Sequence, residues 1–201
     1  MIMLSFTEAY GIAHHSMMIS AERASYLYDC ALEALKVEGE FWECGVYRGG
    51  SALLIRSVIE GTDRVFRLFD TFKGFVVISP EDGTHPTIGL LSGGGVAEIT
   101  ERVNYEHLFI REGVIPETFE GLEGTKIAFV NLDVDLYVPT LTALQFILPR
   151  MVKGGVIVID DYGAPGWPGV KLAVDECFPK DRITFGCEKE FQIIIRFLKG
   201  V

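Results

Sequence analysis

Acidic residues follow two apolar segments in the second half of the chain. Asp133 and Asp135 end the first segment, and Asp160 and Asp161 end the second. Residues i and i+2 of an extended strand share one face, so we expect Asp133 and Asp135 to point the same way. Carboxylates at this density repel one another unless a cation or a proton neutralises them. We therefore expect the two strand ends to meet around a divalent metal ion.

Oxygen-only ligands favour Mg²⁺, Mn²⁺ or Ca²⁺ over zinc. The alternative is that each acid only caps the helix that follows it, because Asp is a common N-cap residue. Four acids at two strand ends exceed what capping requires, so a metal site is the better interpretation.

A glycine-rich turn, Glu43–Ser51, links a short predicted strand to an amphipathic helix over 52–59. Glycine lets the backbone turn sharply and approach a ligand closely. The start of the following helix offers free N–H groups to a carboxylate or a phosphate. The spacing is Gly-x-x-x-Gly-Gly, which differs from the dinucleotide fingerprint and disfavours NAD. Such turns are also common as plain connectors.

Asp70 ends the next predicted strand, which spans 64–70. An acid at this place in nucleotide-binding α/β folds accepts hydrogen bonds from ribose hydroxyls. Asp70 could instead cap the turn at Thr71–Gly74. The nearby glycine turn favours the ribose role.

Helix and strand patterns alternate along the chain. The first segment, about 1–39, is predicted to be helical, with its clearest helix over 20–35 after an N-cap at Ser20. Within it, residues 13–18 are predicted to be an ordinary amphipathic segment, with a lid over the site as the alternative. Later strands are predicted at 107–114, 126–135, 156–161, 182–185 and 191–198, and helices at 96–103, 140–148 and 167–178.

This order predicts one domain over 1–201 of the α/β class. We expect a doubly wound, seven-stranded, mostly parallel sheet with one antiparallel strand, and helices on both faces. The turn-rich stretch over 76–95 is long enough to line a site or to be mobile. Ligands of such sheets bind beyond the carboxyl ends of the strands, where the glycine turn, Asp70, Gly113 and the four acids fall.

Composition narrows the class of protein. The chain has 201 residues, 49% of them hydrophobic, and a formal net charge of -10. The charge argues against a nucleic-acid binder, which needs clustered Lys and Arg. The sequence shows no signal peptide and no apolar run of membrane-spanning length. The four cysteines show no C-x-x-C spacing, which predicts reduced thiols in a cytoplasmic protein. They are Cys30, Cys44, Cys177 and Cys187.

Four stretches occur in one order: Glu43–Ser51, Phe69–Gly74, Leu132–Tyr137 and Gly154–Tyr162. Together they resemble the macrocin O-methyltransferase (TylF-like) family, whose relatives methylate sugar hydroxyls in macrolide and aminocoumarin antibiotics. The resemblance runs from about residue 17 to residue 178, and four ordered motifs make it specific. More distantly, the layout is similar to that of catechol O-methyltransferase.

The resemblance implies a class I methyltransferase that uses S-adenosylmethionine to methylate a hydroxyl of a small molecule, a sugar or a glycosylated natural product. It also suggests a homodimer. The glycine turn would carry the methionine part of the cofactor, with Ser51 near its carboxylate. Asp70 would hold the ribose, and the Gly113 region would border the adenine. The implied cofactor-binding residues are Glu43, Gly45, Tyr47, Gly49, Gly50, Ser51, Asp70, Gly113 and Asp133.

The family pattern also implies roles for the acids. Asp133, Asp160 and Asp161 match ligands of Mg²⁺ or Mn²⁺, and Asp135 matches a general base. A sugar hydroxyl is a poor nucleophile at neutral pH. A bound metal lowers the pKa of the hydroxyl, and a nearby carboxylate removes its proton.

Three alternatives remain open at this point. One is a catechol-type methyltransferase that acts on a phenolic diol. Another is a metal-dependent hydrolase or hydroxylase on a related sheet, against which the glycine turn with Asp70 argues. The last is a binding module without turnover, which would not need four acids.

Overall fold

The structure, a computed structural model, describes residues 4–179, 184–187 and 191–197. The helices are α1 (Phe6–Ala13), α2 (Ala21–Ala34), α3 (Gly50–Ile59), α4 (Val96–Val103), α5 (Tyr137–Ile147) and α6 (Pro168–Cys177). The strands are β1 (Glu40–Cys44), β2 (Phe66–Asp70), β3 (Leu108–Glu112), β4 (Ile127–Leu132), β5 (Met151–Ile159), β6 (Thr184–Cys187) and β7 (Gln192–Arg196). Parts of the predicted N-terminal segment, of the last two strands and of the turn between them lie outside the described residues.

One sheet of seven strands runs through the described residues in the order β3-β2-β1-β4-β5-β7-β6. The pairs from β3 to β5 are parallel, and β7 is antiparallel to both β5 and β6. The predicted fold class, a mostly parallel sheet with one antiparallel strand, is confirmed. Of the helices in the described ranges, none has the length and apolar character needed to cross a bilayer.

Helices cover both faces of the sheet because its central strands are apolar on both sides. All six residues of β4 are buried, as is typical of a parallel strand inside an α/β protein. In β1, Phe41 packs in the core with α1 to α4, whereas Trp42 packs in the core with α5 and α6. The period-2 alternation of a strand sends neighbouring side chains to opposite layers.

Several predicted elements agree closely with the structure. Helix α2 begins after Ser20, whose Oγ accepts a hydrogen bond from the Arg23 N–H at 3.2 Å. Helix α4 has the predicted bounds. Strand β5 differs from the predicted strand over 156–161, because it begins at Met151 and includes Gly154 and Gly155. Gly154 has a φ of 84°, and the pairing of β5 with β4 is irregular there. Glycine tolerates such a bulge.

The register of the sheet brings four strand ends to one level. Cys44 pairs with Phe69 on one side and with Leu132 on the other, and Leu132 pairs with Ile159. The next residues therefore leave the sheet side by side. These are Gly45, Asp70, Asp133 and Asp160.

Gly45 allows the first turn to pass close to the end of β4. Its φ is 86°, and a Cβ there would lie 1.7 Å from the carbonyl oxygen of Asp133. Gly61 has a similar φ of 75° but no atom within 4 Å of a built Cβ. A side chain at Gly61 would therefore suffer only the backbone strain of a positive φ, whereas a side chain at Gly45 would suffer strain and steric overlap.

We predict that Gly45→Ala lowers the free energy of unfolding by roughly 3 kcal/mol or more, because strain and overlap add. Gly61→Ala, the matched control, should cost only about 1–2 kcal/mol, since it suffers the strain alone. Urea unfolding of both variants measures the difference. Equal losses would contradict the close approach of the turn to β4.

Candidate active site

A cleft of about 580 Å³ lies beyond the carboxyl ends of β1, β2, β4 and β5. It contains most of the residues predicted for the site, although they are far apart in the chain. The predicted residues that line the cleft are Gly45, Tyr47, Ser51, Asp70, Gly113, Asp133, Asp135, Asp160 and Asp161. Glu43, Gly49 and Gly50 lie outside its lining.

Asp70 holds the glycine turn by its backbone. The Oδ2 atom accepts hydrogen bonds from the N–H groups of Val46 at 2.6 Å and Tyr47 at 2.8 Å. The Oδ1 atom accepts one from the Phe72 N–H at 2.7 Å. Tyr47 and Phe72 both have positive φ values, 52° and 53°, so the carboxylate stabilises two strained positions. Oδ2 uses both of its lone pairs in these bonds, whereas Oδ1 keeps one for a ligand hydroxyl.

Gly49 and Gly50, at the start of α3, allow neighbouring segments to pack closely. Gly49 is the N-cap of the helix in the left-handed region, at a φ of 76°. A Cβ on Gly50 would lie 2.6 Å from the backbone of Ser16 and Met17. Gly50 therefore lets the N-terminal segment lie directly against the glycine turn, whereas a Cβ on Gly49 would lie 3.1 Å from Ile99 of α4. Gly113, on the far side of the cleft, donates its N–H to the Asp70 carbonyl oxygen at 3.0 Å.

Glu43 lies behind the cleft and is fully buried in β1. Asn131 Nδ2 donates a hydrogen bond to its Oε1 atom at 2.9 Å. Burial raises the pKa of Glu43 to about 8, although Ser51 and Asn131 act in the opposite direction. The side chain is therefore protonated at neutral pH.

Three carboxylates gather at the other end of the cleft. Oxygen atoms of Asp133, Asp135 and Asp161 all lie within 4.8 Å of one another. Burial, and next the charge of Asp160, raises the pKa of Asp133 well above its usual range. Burial and then Asp161 do the same for the pKa of Asp135. This is the electrostatic pattern of a site that a cation would stabilise.

The route by which Asp135 reaches this cluster differs from the prediction. Strand β4 ends at Leu132, so the expected extended strand through Asp135 is wrong. Asp135 has a φ of 62°, and the Leu136 N–H donates to the Val134 carbonyl oxygen at 2.7 Å. A tight turn therefore aims its side chain. Asp161 has a comparable φ of 59° at the end of β5. Strained positions of this kind concentrate at functional sites.

Asp160 has a different set of partners from the other three acids. Its Oδ2 atom lies 2.5 Å from Arg23 Nη1, and its Oδ1 atom accepts a hydrogen bond from Gln192 Nε2 at 3.4 Å. The side chain is only 4% exposed. Burial raises the pKa of Asp160 to about 7, and the Arg23 guanidinium opposes that shift.

Arg23 is a site residue that the sequence pattern did not single out. It lies in the first turn of α2, and its Nη1 atom is also 3.3 Å from Asp161 Oδ1. The preceding residues Ser16–Ile19 line the cleft as well. The alternative prediction for residues 13–18, a lid over the site, concerns this same region of the chain. The sequence alone gives no other reason to assign a functional role to an arginine in the first turn of a helix.

Comparisons with known proteins fit this arrangement. The family model described as Macrocin-O-methyltransferase (TylF) matches residues 10–188. An 8-demethyl-8-(2,3-dimethoxy-alpha-L-rhamnosyl)-tetracenomycin-C 4'-O-methyltransferase from Streptomyces olivaceus is 29% identical over 167 residues, covering 75% of this chain and 63% of the relative. Mycinamicin III 3''-O-methyltransferase from Micromonospora griseorubida is 29% identical over 178 residues, covering 79% of this chain and 69% of the relative. The chain thus spans about two thirds of their length.

The fold is also similar to solved structures. A crystal structure of CalS11, a calicheamicin methyltransferase, superposes with a TM-score of 0.74 at 24% sequence identity. The match covers 88% of this chain and 77% of that one. At this level of identity the likeness concerns the fold of the methyltransferase sheet.

The raised pKa of the buried Glu43 predicts that the free energy of unfolding depends on pH. The folded protein keeps a proton on Glu43 that the unfolded chain releases near pH 4.5. The stability from this group is thus complete below pH 4.5 and is lost as pH rises toward 8. Relative to the wild type, Glu43→Gln should gain about 1.4 kcal/mol of unfolding free energy per pH unit in that window.

Urea unfolding of both proteins at pH 5.5 and pH 7.5 measures this gain. Glu101→Gln makes the same chemical change on an exposed side chain and is the matched control. Parallel pH profiles for the wild type and Glu43→Gln would contradict the raised pKa of Glu43.

Proposed function

The chain belongs to the macrocin O-methyltransferase (TylF) family, and from that premise we propose that it is an S-adenosylmethionine-dependent O-methyltransferase. The proposed acceptor is a hydroxyl of a small molecule, a sugar or a glycosylated natural product. The two relatives described above are named for O-methylation of glycosylated natural products. The observation that carries the proposal is that the glycine turn with Asp70 and the carboxylate cluster open into one cleft.

The residues at the glycine turn fit the cofactor. Gly45 lines the cleft and has no side chain, so the backbone of the turn can approach a ligand closely. The start of α3 at Ser51 suits the carboxylate of the methionine part. Asp70 keeps acceptor capacity for ribose hydroxyls, and Gly113 borders the same cleft on the adenine side. When bound, S-adenosylmethionine supplies the methyl group from its sulfonium.

The carboxylate cluster fits a divalent cation such as Mg²⁺ or Mn²⁺. Its donors are all oxygen atoms, and their mutual repulsion is relieved by a positive charge. Asp133 and Asp161 belong to both the predicted ligand set and the observed cluster, so they are the proposed ligands supported by both arguments. Asp160, the third predicted ligand, lies outside the observed cluster and pairs with Arg23. A cation bound there supplies charge that lowers the pKa of a nearby acceptor hydroxyl.

Asp135 is the proposed general base. Burial, and next the charge of Asp161, raises the pKa of Asp135, which makes its carboxylate a stronger base than an ordinary aspartate. Its carboxylate accepts the proton of the acceptor hydroxyl, and the tight turn beneath it fixes the direction in which it points. The remaining wall of the cleft, from Ser16–Ile19 and from Phe75–Val77, excludes water and orients the acceptor.

The experiment that tests the proposal combines binding and turnover. Calorimetry should show saturable binding of S-adenosylmethionine at one site per chain. Incubation with S-adenosylmethionine, Mg²⁺ and a panel of sugar and aromatic vicinal diols should yield a methyl ether of a sugar-containing acceptor, and EDTA should suppress it. Absence of cofactor binding would refute the methyltransferase proposal. Methylation of aromatic diols alone would favour the catechol-type alternative.

We predict that Asp135→Asn keeps its affinity for Mg²⁺ but loses about a hundredfold or more in turnover, because the amide cannot accept the proton. Turnover assays and calorimetric titration with Mg²⁺ measure the two effects. Asp29→Asn makes the same change on the exposed face of α2 and should behave like the wild type. Wild-type turnover in Asp135→Asn would refute the role of base, and lost Mg²⁺ affinity would make Asp135 a ligand.

A further inference from the structure

The turn that carries Asp135 needs support from elsewhere in the molecule. Its hydrogen bond joins Leu136 N–H to the Val134 carbonyl oxygen two residues back, with Asp135 at positive φ between them. Turns of this three-residue kind are rare and strained, so they persist only when neighbouring structure holds them. Helix α5 begins at the next residue, Tyr137.

The start of α5 lacks a polar cap of its own. The N-cap residue is Leu136, whose side chain cannot accept a hydrogen bond from the first-turn amides. Asp82 fills this role from 55 positions away in the chain: its Oδ1 atom accepts a hydrogen bond from the Tyr137 N–H at 2.6 Å. A carboxylate is favoured at this end of a helix by the helix dipole.

Asp82 is itself held firmly. The side chain is 2% exposed, and its Oδ2 atom accepts hydrogen bonds from the Ser79 N–H at 2.8 Å and from Ser79 Oγ at 2.9 Å. Helix α6 packs over it at Gly169, where a Cβ would lie 2.2 Å from Asp82 Oδ1. The stretch after β2, the start of α5 and the start of α6 thus meet at one carboxylate.

We propose that Asp82 is a positioning residue for Asp135: by binding the Tyr137 amide, it holds the strained turn that directs the Asp135 carboxylate into the cleft. The kinetic part of this inference rests on the proposed function. Its structural part, the hold on the turn, is independent of any activity. The same carboxylate also fixes the stretch over 76–95, so the wall of the cleft and the acid cluster keep one relative position.

The structural part is tested by hydrogen exchange. In Asp82→Ala the Tyr137 amide loses its acceptor, so its exchange should accelerate by roughly tenfold or more. Asp82→Asn has one acceptor oxygen for the three donors that Asp82 binds, so it should protect the amide only in part. Ser5→Ala, which removes the N-cap of α1, is the control for the loss of a cap elsewhere. Unchanged protection of Tyr137 in Asp82→Ala would overturn the proposal.

The kinetic part is tested by a double-mutant cycle. Asp82→Ala should lower kcat by about a hundredfold while KM for S-adenosylmethionine stays within about twofold, because misplacing a catalytic group mainly affects the transition state. Asp82→Asn should restore part of the rate. In the Asp135→Asn background, Asp82→Ala should cost almost nothing further, since both changes remove the same function.

A full additional loss in the Asp135→Asn background would overturn the positioning role, because a residue with a general structural effect acts on both backgrounds alike. A fall in kcat with an equal rise in KM for S-adenosylmethionine would also overturn the positioning role. If the wild type methylates no acceptor at all, the proposed function fails, and the exchange of the Tyr137 amide still decides whether Asp82 holds the turn.

Discussion

Repulsion between carboxylates at two adjacent strand ends governs the electrostatics of the cleft. Asp133, Asp135, Asp160 and Asp161 share one cleft, and burial together with mutual charge raises the pKa of the first three. Such a cluster costs stability unless protons, a guanidinium or a metal ion neutralise it. Arg23 supplies part of that charge by pairing with Asp160 and Asp161. One guanidinium cannot neutralise four acids, so a cation at Asp133 and Asp161 would stabilise the cluster further.

The parallel register of the sheet places the cofactor half and the acid half of the cleft side by side. The amide of Gly45 continues the ladder to the Phe69 carbonyl oxygen at 2.9 Å, and the amide of Asp133 bonds to the Cys44 carbonyl oxygen at 2.8 Å. Gly45 has no Cβ to prevent this contact. Two motifs about ninety residues apart thus become one site, because ligands of α/β sheets bind where the strand ends align.

Two segments outside the sheet complete the cleft by long-range polar contacts. The N-terminal segment reaches across from the glycine turn, which it meets at Gly50, to the acids, which it meets through Arg23. The stretch after β2 is tied to the acid turn by Asp82. Both contacts are partly buried, so they fix geometry more firmly than fully exposed ion pairs would. Membership of the family explains why the sequence motifs are present. The contacts of Arg23 and Asp82 explain how this chain holds the motifs around one cleft.

The fold class, the places of the glycine turn and the acids, and helix bounds such as those of α2 can be predicted from sequence alone, because periodicity and caps are local signals. The sequence does not predict everything about the site. It failed at Asp135, since strand spacing carries no information about a turn with positive φ. It also failed to indicate Arg23 and Asp82. Their partners lie 137 and 55 positions away, and only the packing of helices and loops on the sheet decides which distant groups meet.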